Sequence, residues 1–304
     1  MPRKLRIQYP GALYHVISHG NNQKELFLKE NMGEIFENAL LETAVHCGWK
    51  LHAYVIMGNH YHLVIETPKP NLVDGMRWLQ STFASSFNRV RNKRGNVFQG
   101  RYKAIVVSEN FPLLGLVDYV HLNPVRAGKC ALKDLRDYAL SSYPKYFKRT
   151  PAEGLWRDDF FGVLDLPSSL AGMNRYAEYL KSSDARKPKL KKELKKQYCW
   201  GWFLGSKEER DALSEDIENK HPSILDGSDR QEVHEAQWES LARKELRRLK
   251  KRKPDIVADA KGADWKIEIA RVLRKETNVK NSWIADRLNM GHASRVSNLI
   301  QNKS

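Results

Sequence analysis

The chain has 304 residues, 41% of them hydrophobic, and its 52 basic residues outnumber 36 acidic ones to give a formal net charge of +16. This length suits about two domains, and the apolar fraction excludes a wholly disordered chain. The longest apolar runs, such as residues 113–117, are far shorter than the roughly 20 residues that cross a bilayer. No apolar segment of a secretory signal follows the basic N-terminus. The positive charge favours nucleic acid, ahead of an anionic membrane surface, as the partner.

The three cysteines are odd in number and widely spaced along the chain. They therefore predict neither a disulfide framework nor a zinc knuckle. We expect a cytoplasmic protein with reduced thiols and without a membrane partner.

The first 150 residues predict an α+β catalytic domain. Apolar and polar residues alternate as in strands or recur every three to four positions as in helices, and Gly58-Asn59 suits a hairpin turn. In chain order we predict a strand at 12–18, a helix at 33–48, strands at 50–57 and 60–66, a helix at 71–90 and a strand at 102–107. This order is that of a ferredoxin-like antiparallel sheet with helices on one face. A further helix at 111–123 should be stopped by Pro124.

Beyond residue 150 the sequence becomes dominated by charge. We predict a basic, mostly helical linker or accessory region at 151–255, in which residues 181–196 hold eight basic and two acidic residues. Residues 243–253 hold eight basic residues opposed only by Glu245. Such runs are either solvated helix faces or contacts to phosphate groups.

The last segment, 256–304, recovers the apolar periodicity of three short helices. Their arrangement is of the helix-turn-helix type, and the third helix would span 293–301. Its outward-facing side chains would be able to contact base edges or phosphates; they are Ser294, Arg295, Ser297 and Asn298. A small helical cap with an ordinary polar face is the alternative.

Two pairs of polar residues can combine into a reactive site. His60 and His62 are separated by one residue on a predicted strand, so both side chains leave the same face and can share a divalent ion. Tyr119 and Asn123 are four residues apart on a predicted helix, which stacks a hydroxyl above an amide oxygen that can be a third ligand. An ion so held would polarise a phosphate that the tyrosine attacks. A phenol with a pKa of about 10 needs such help at neutral pH.

The sequence resembles the REP-associated tyrosine transposases, a single-tyrosine group of the His-hydrophobic-His endonuclease superfamily. The matching segments are YHVISHGNN (14–22), AYVIMGNHYHLVIET (53–67), FQGRYKA (98–104) and YVHLNPVRAG (119–128). The resemblance implies the nuclease fold of that superfamily and the cleavage and rejoining of single-stranded DNA near hairpins such as REP-like repeats. It implies that His60, His62 and Asn123 hold Mg2+ or Mn2+, and that Tyr119 forms a 5′-phosphotyrosine and releases a 3′-hydroxyl. The active form would be a monomer or a homodimer.

Several nearby residues have more than one interpretation. Tyr61, in place of the usual bulky aliphatic residue, should face away from the imidazoles and is not expected to be the nucleophile. His15 and His19 lie on one face of the first predicted strand and could approach the active face of the sheet, but structural roles are favoured for both. The basic residues Arg101, Lys103 and Arg126 either bind DNA phosphates or form an exposed basic edge.

Two other classes of function compete with the enzyme. A DNA-binding regulator would use the helix-turn-helix and the basic runs without cutting DNA, but binding alone requires neither the two histidines nor the tyrosine. An RNA-binding module on a ferredoxin-like sheet would need surface aromatic residues on its central strands, and Tyr54 and Tyr61 supply little of that.

Overall fold

The structure is a computed structural model and describes residues 7–28, 31–92, 94–158, 162, 167, 169–182, 195, 197–220, 227–277 and 279–301. The chain divides after Ser206 into two compact units. The predicted division into domains at 1–150, 151–255 and 256–304 stays a prediction. Within the described ranges, no helix is both long and apolar enough to cross a bilayer.

The N-terminal unit is built on a five-stranded sheet, and the α+β fold class is confirmed. The strands are β1 (Ala12–His19), β2 (Lys50–Ile56), β3 (His60–Thr67), β4 (Lys103–Val107) and β5 (Phe203–Leu204), in the spatial order β2-β3-β1-β4-β5. The first four strands pair antiparallel in the predicted ferredoxin-like order. The short β5 pairs parallel to β4, so the sheet is mixed rather than purely antiparallel.

Six helices accompany this sheet among the described residues of the unit: α1 (Met32–Cys47), α2 (Leu72–Val90), α3 (Leu113–His121), α4 (Asn123–Arg126), α5 (Ser142–Tyr146) and α6 (Leu170–Ser182). The helix α1 ends where Gly48 adopts a φ of 65°, a conformation that costs glycine little. The helix α2 buries the predicted apolar stripe that includes Leu72, Met76, Leu79 and Phe83.

The two faces of the sheet are covered by different helices: α1 and α2 share one face, as expected for the ferredoxin-like order, and the further helix α3 lies on the other. Tyr61 points to the face of α1 and α2, where its ring packs 4.6 Å from Phe36 and its hydroxyl accepts from Gln80. His62 points to the opposite face, where its ring centroid lies 5.7 Å from that of Tyr119 on α3. The alternation of side chains along β3 thus separates Tyr61 from the histidines, as expected.

The predicted helix at 111–123 is interrupted one residue before Asn123. It ends at His121, and a short second helix begins at Asn123 with Pro124 in its first turn. Proline lacks the amide hydrogen that a helix interior needs but fits the first turn, where that hydrogen has no helical partner. Pro124 therefore begins a turn of helix instead of only ending one.

The C-terminal unit is helical where the structure describes it. Its helices are α7 (Lys207–Lys220), α8 (Gly227–Arg248), α9 (Lys253–Ala258), α10 (Asp264–Glu276), α11 (Asn281–Arg287) and α12 (Ala293–Gln301). A buried apolar cluster joins α8 to the last three helices and includes Trp238, Leu273, Ile284 and Val296. The helical C-terminal region is thus confirmed, whereas its identity as a DNA-binding helix-turn-helix stays a prediction.

Candidate active site

The site begins with four histidines on one face of the two central strands. His60 and His62 lie on β3 beside β1, with His60 opposite His19 and His62 opposite Ile17. The rings of His19 and His60 stack with centroids 5.1 Å apart. His15 Nε2 and His62 Nδ1 are 3.0 Å apart, within hydrogen-bond distance. His15 therefore contacts the site itself, whereas the sequence had favoured a structural role for it.

The hydrogen bonds of His15 fix which nitrogen of His62 carries a proton. His15 Nδ1 lies 2.8 Å from the Tyr198 carbonyl oxygen, which only accepts, so Nδ1 donates. Burial lowers the pKa of His15 to about 4 and that of His62 well below its ordinary value, so both rings are neutral at pH 7. His15 Nε2 must then accept from His62 Nδ1. His62 Nε2 is consequently left with a lone pair.

His60 also carries its proton on Nδ1 and not on Nε2, because of a different hydrogen bond. Its Nδ1 lies 2.7 Å from Asn59 Oδ1, and the amide group of Asn59 donates to the Gln23 carbonyl, which identifies Oδ1 as an acceptor. Burial lowers the pKa of His60 to about 4, so this ring is also neutral. Both histidines therefore have an unprotonated Nε2, the form in which an imidazole binds a metal ion.

Tyr119 on α3 faces these imidazoles. Its ring centroid lies 5.9 Å from that of His15 and 4.8 Å from that of Tyr198, and its hydroxyl lies 3.0 Å from Cys199 Sγ. Burial, reinforced by Cys199, raises the pKa of the Tyr119 phenol, so the hydroxyl is protonated at neutral pH. Asn123 at the start of α4 donates to the Tyr119 carbonyl over 3.4 Å.

Arg126 holds Tyr119 from the other side. One guanidinium nitrogen donates to the Tyr119 carbonyl over 2.9 Å, and the guanidinium carbon lies 5.1 Å from the centre of the tyrosine ring. This places a cation over the ring of the candidate nucleophile, where it favours phenolate over phenol.

A cavity of about 530 Å3 opens over this cluster. It brings together seven of the residues singled out in the sequence: His60, His62, Tyr119, Asn123, Arg101, Lys103 and Arg126. Lys195 adds a further cation to the lining, and Trp200, whose side chain is 68% exposed, adds an aromatic surface. One cavity therefore combines two unprotonated imidazole nitrogens, a phenolic hydroxyl and several cations.

The four candidate DNA-contacting residues of α12 belong to the C-terminal unit. Ser294, Arg295 and Asn298 are exposed. Ser297 is half-buried, and its hydroxyl accepts from Asn281 Nδ2 over 2.6 Å.

Sequence reasoning missed the residues of the site that come from the end of the N-terminal unit. Lys195, Tyr198, Cys199 and Trp200 follow β4 by about ninety residues, and no local pattern relates them to the histidines. The available signal was the segment WFLGS at 202–206, which forms β5 beside β4 and so returns the chain to the sheet.

Comparison with known proteins shows what the chain is similar to. Residues 8–123 match the family model described as "Transposase IS200 like". The matched range includes β1 to α3 and ends at Asn123, so this part of the N-terminal unit is similar to the IS200-like transposases.

Within that class, the chain is similar to a REP-associated tyrosine transposase of Haemophilus influenzae. The two are 23% identical over 167 residues, which cover 51% of this chain and 91% of the relative. The predicted resemblance to the REP-associated tyrosine transposases is thus confirmed. With it, the prediction of a DNA-cleaving type of enzyme is confirmed at the level of the family.

Two solved structures also align with the chain. One, of a REP-associated tyrosine transposase bound to a REP hairpin, aligns with a TM-score of 0.41 and 18% identity over 52% of this chain and 93% of that one. The other, of a transposase from Deinococcus radiodurans, aligns with a TM-score of 0.29 and 22% identity over 36% of this chain and 88% of that one.

Proposed function

We propose that this protein is a metal-dependent single-strand DNA endonuclease and strand transferase with Tyr119 as its nucleophile. The observation that carries the proposal is the packing of the Tyr119 ring 5.7 Å from the ring of His62 in the cavity that His60 and Asn123 also line. A DNA phosphate entering this cavity would meet both the hydroxyl and the unprotonated imidazole nitrogens.

His60, His62 and Asn123 would hold the divalent ion. Two neutral imidazoles and an amide oxygen form a donor set that suits Mn2+ and accepts Mg2+. The hydrogen bonds that His60 donates to Asn59 and His62 donates to His15 orient the two rings. When bound, such an ion supplies Lewis-acid polarisation of a phosphate oxygen.

The residues of the chain account for the covalent step. Tyr119 Oη loses its proton to solvent and forms a bond to phosphorus while the bond from phosphorus to the 3′ oxygen breaks. The departing 3′ oxygen takes up a proton and becomes a hydroxyl, and the DNA stays attached through a 5′-phosphotyrosine. Arg126 stabilises the phenolate that forms. Attack by a 3′-hydroxyl reverses these bond changes and rejoins strands without a nucleotide cofactor.

The substrate that fits this chemistry is single-stranded DNA next to a hairpin. Arg101, Lys103, Arg126 and Lys195 line the cavity and would bind its phosphates. The similarity to a REP-associated transposase favours REP-like hairpins. The exposed residues of α12, Ser294, Arg295 and Asn298, would add contacts to duplex DNA, together with the half-buried Ser297.

The proposal is tested by replacing the nucleophile. Wild-type protein incubated with Mn2+ and a hairpin-bearing single strand should form a covalent protein–DNA band on a denaturing gel, and Tyr119→Phe should form none. Tyr61→Phe is the matched control. It removes a phenol from the opposite face of the same sheet, so this variant should still form the covalent adduct with DNA.

Equal adduct formation by wild type and Tyr119→Phe would contradict the assignment of the nucleophile. Binding of the hairpin without an adduct in Mg2+ or Mn2+ would instead favour the non-cleaving DNA-binding regulator.

A further inference from the structure

The histidine cluster has a second set of donor atoms that the proposed DNA cleavage does not use. One ring nitrogen of His15, one of His62 and Cys199 Sγ all lie within 4.8 Å of one another. His15 Nε2 contacts His62 at Nδ1, on the side of the ring away from Nε2, the nitrogen assigned above to the catalytic ion. Two imidazoles and a thiolate are ligands that Zn2+ prefers over Mg2+.

We propose that His15, His62 and Cys199 form a binding site for Zn2+ or a similarly soft divalent ion, distinct from the catalytic one. The distances suit that ion. Two nitrogens bound to tetrahedral zinc at about 2.1 Å lie about 3.4 Å apart, and the two imidazole nitrogens here lie 3.0 Å apart. A thiolate would lie about 3.6 Å from each nitrogen, and Cys199 Sγ lies within 4.8 Å of a ring nitrogen of both histidines.

The surroundings of the three ligands also suit a metal site. His15 is fully buried, and its other ring nitrogen donates to the Tyr198 carbonyl, the kind of outer hydrogen bond that orients a metal-bound imidazole. His62 and Cys199 line the cavity, so an ion has a path of entry. The hydroxyl of Tyr119, the proposed nucleophile, lies 3.0 Å from Cys199 Sγ and occupies one side of the sulfur.

Occupation of this site would exclude the catalytic ion. To bind zinc, the Cys199 thiol gives its proton to solvent, and the proton on His62 Nδ1 has to move to Nε2. A protonated Nε2 has no lone pair for the ion that His60 and Asn123 would share. Tyr119 would at the same time donate its hydroxyl proton to the metal-bound sulfur. Zinc would therefore inhibit strand cleavage, a consequence that rests on the proposed function.

Metal binding itself is tested with Co2+ in place of Zn2+ in the full-length protein. Wild type should bind one equivalent and show the sulfur-to-metal charge-transfer band of a thiolate ligand, which Zn2+ then removes by displacement. Cys199→Ser should lose that band and weaken zinc binding by at least about 100-fold, beyond the about 10–100-fold that an outer hydrogen bond is worth. Cys130→Ser, which removes a half-buried thiol elsewhere, should behave as wild type.

A charge-transfer band of equal size in wild type and Cys199→Ser, or the absence of the band from wild type, would overturn the proposed metal site.

Inhibition is measured separately, by comparing adduct formation in Mn2+ with and without Zn2+ within each variant. Zinc at one equivalent should suppress the adduct of wild type, whereas Cys199→Ser should need at least about ten times more. Equal zinc sensitivity would overturn the exclusion argument. A wild-type protein without adduct even in zinc-free Mn2+ would contradict the proposed function, while the cobalt spectrum would still decide the site.

Discussion

The protonation of His62 is fixed by a chain of two hydrogen bonds that begins at a backbone carbonyl. Tyr198 accepts from His15, and His15 accepts from His62, so the tautomer that leaves Nε2 unprotonated is built into the fold. A ligand oriented in this way loses less freedom when it binds an ion than one that rotates freely. His15 is therefore a positioning residue for the proposed catalytic ion.

We expect His15→Leu to raise the Mn2+ concentration needed for half-maximal adduct formation by about 10–100-fold, because His62 loses the acceptor that fixes its tautomer. The measurement is a titration of adduct yield against Mn2+, in which saturating metal should restore much of the yield. The control is His46→Leu, which replaces an exposed histidine of α1 outside the cavity. An unchanged requirement for Mn2+ in His15→Leu would contradict the positioning role.

Asp118, the residue before Tyr119, should make stability depend on pH. Burial raises the pKa of its carboxyl to about 6, although Tyr176 donates a hydrogen bond of 2.8 Å to it. The folded state thus binds more protons than the unfolded state between the unfolded pKa of about 3.9 and pH 6, so stability falls as pH rises through this window. Between pH 5 and 7.5 this loss amounts to roughly 1 to 2 kcal/mol.

In Asp118→Asn, the amide oxygen still accepts from Tyr176 but carries no charge. We therefore expect the wild-type free energy of unfolding to fall by roughly 1 to 2 kcal/mol more than that of Asp118→Asn between pH 5 and 7.5. Urea unfolding at both pH values measures this difference, and comparing the two proteins cancels the contributions of the buried histidines. Parallel pH profiles would contradict an Asp118 that ionises near pH 6.

At the scale of elements, the predictable parts are those with local periodicity. Strands β1 to β4 and helices α1 and α2 follow from alternation and helical spacing, and their observed ends lie within one residue of the predicted ones. The placement of His60 and His62 on one face follows from the same alternation. The break between α3 and α4 did not follow, because Pro124 fits the first turn of a new helix as well as it ends an old one.

The pairing of β5 with β4 also could not be predicted from local sequence patterns. The two-residue strand β5 has too few residues to show alternation, yet it lies next to the segment that brings Tyr198, Cys199 and Trp200 to the histidines. Long-range pairing of this kind depends on which edge of the sheet stays open, a property of the assembled fold. That His60, His62, Tyr119 and Asn123 lie at one cavity was thus predictable, whereas the carbonyl that orients His15 was not.

The segment that follows Lys195 offers a test of how single-stranded DNA is held. Trp200 exposes 68% of its side chain beside the cations of the cavity, and an exposed aromatic ring in such a place suits stacking with a base. We expect Trp200→Ala to weaken binding of single-stranded DNA by about 1–3 kcal/mol, which fluorescence anisotropy measures directly. Trp156→Ala removes another partly exposed tryptophan, one outside the cavity, and should leave affinity unchanged. Equal effects of the two substitutions would argue against stacking on Trp200.

At the scale of the whole molecule, the positive charges behind the net charge of +16 are divided between the two units. Part of the positive charge lines the cavity of the N-terminal unit, and part lies on the helices of the C-terminal unit. Many cations of the second group are already paired within the protein, as Arg243 and Arg287 are with Glu239. Net charge alone therefore overstates the number of cations available to phosphates, and the salt dependence of binding reports the true number.

This distinction gives a prediction for the C-terminal unit. Arg295 is exposed on α12 between Ser294 and Asn298, so Arg295→Ala should weaken duplex binding and make the slope of log affinity against log salt shallower by about one unit. Arg243→Ala removes the same charge from the chain, but from an arginine paired with Glu239, and should change the slope little. If both variants lower the affinity equally, the effect comes from net charge and α12 has no specific role. A change confined to Arg295→Ala would assign the duplex contact to α12, because overall charge is equal in the two variants.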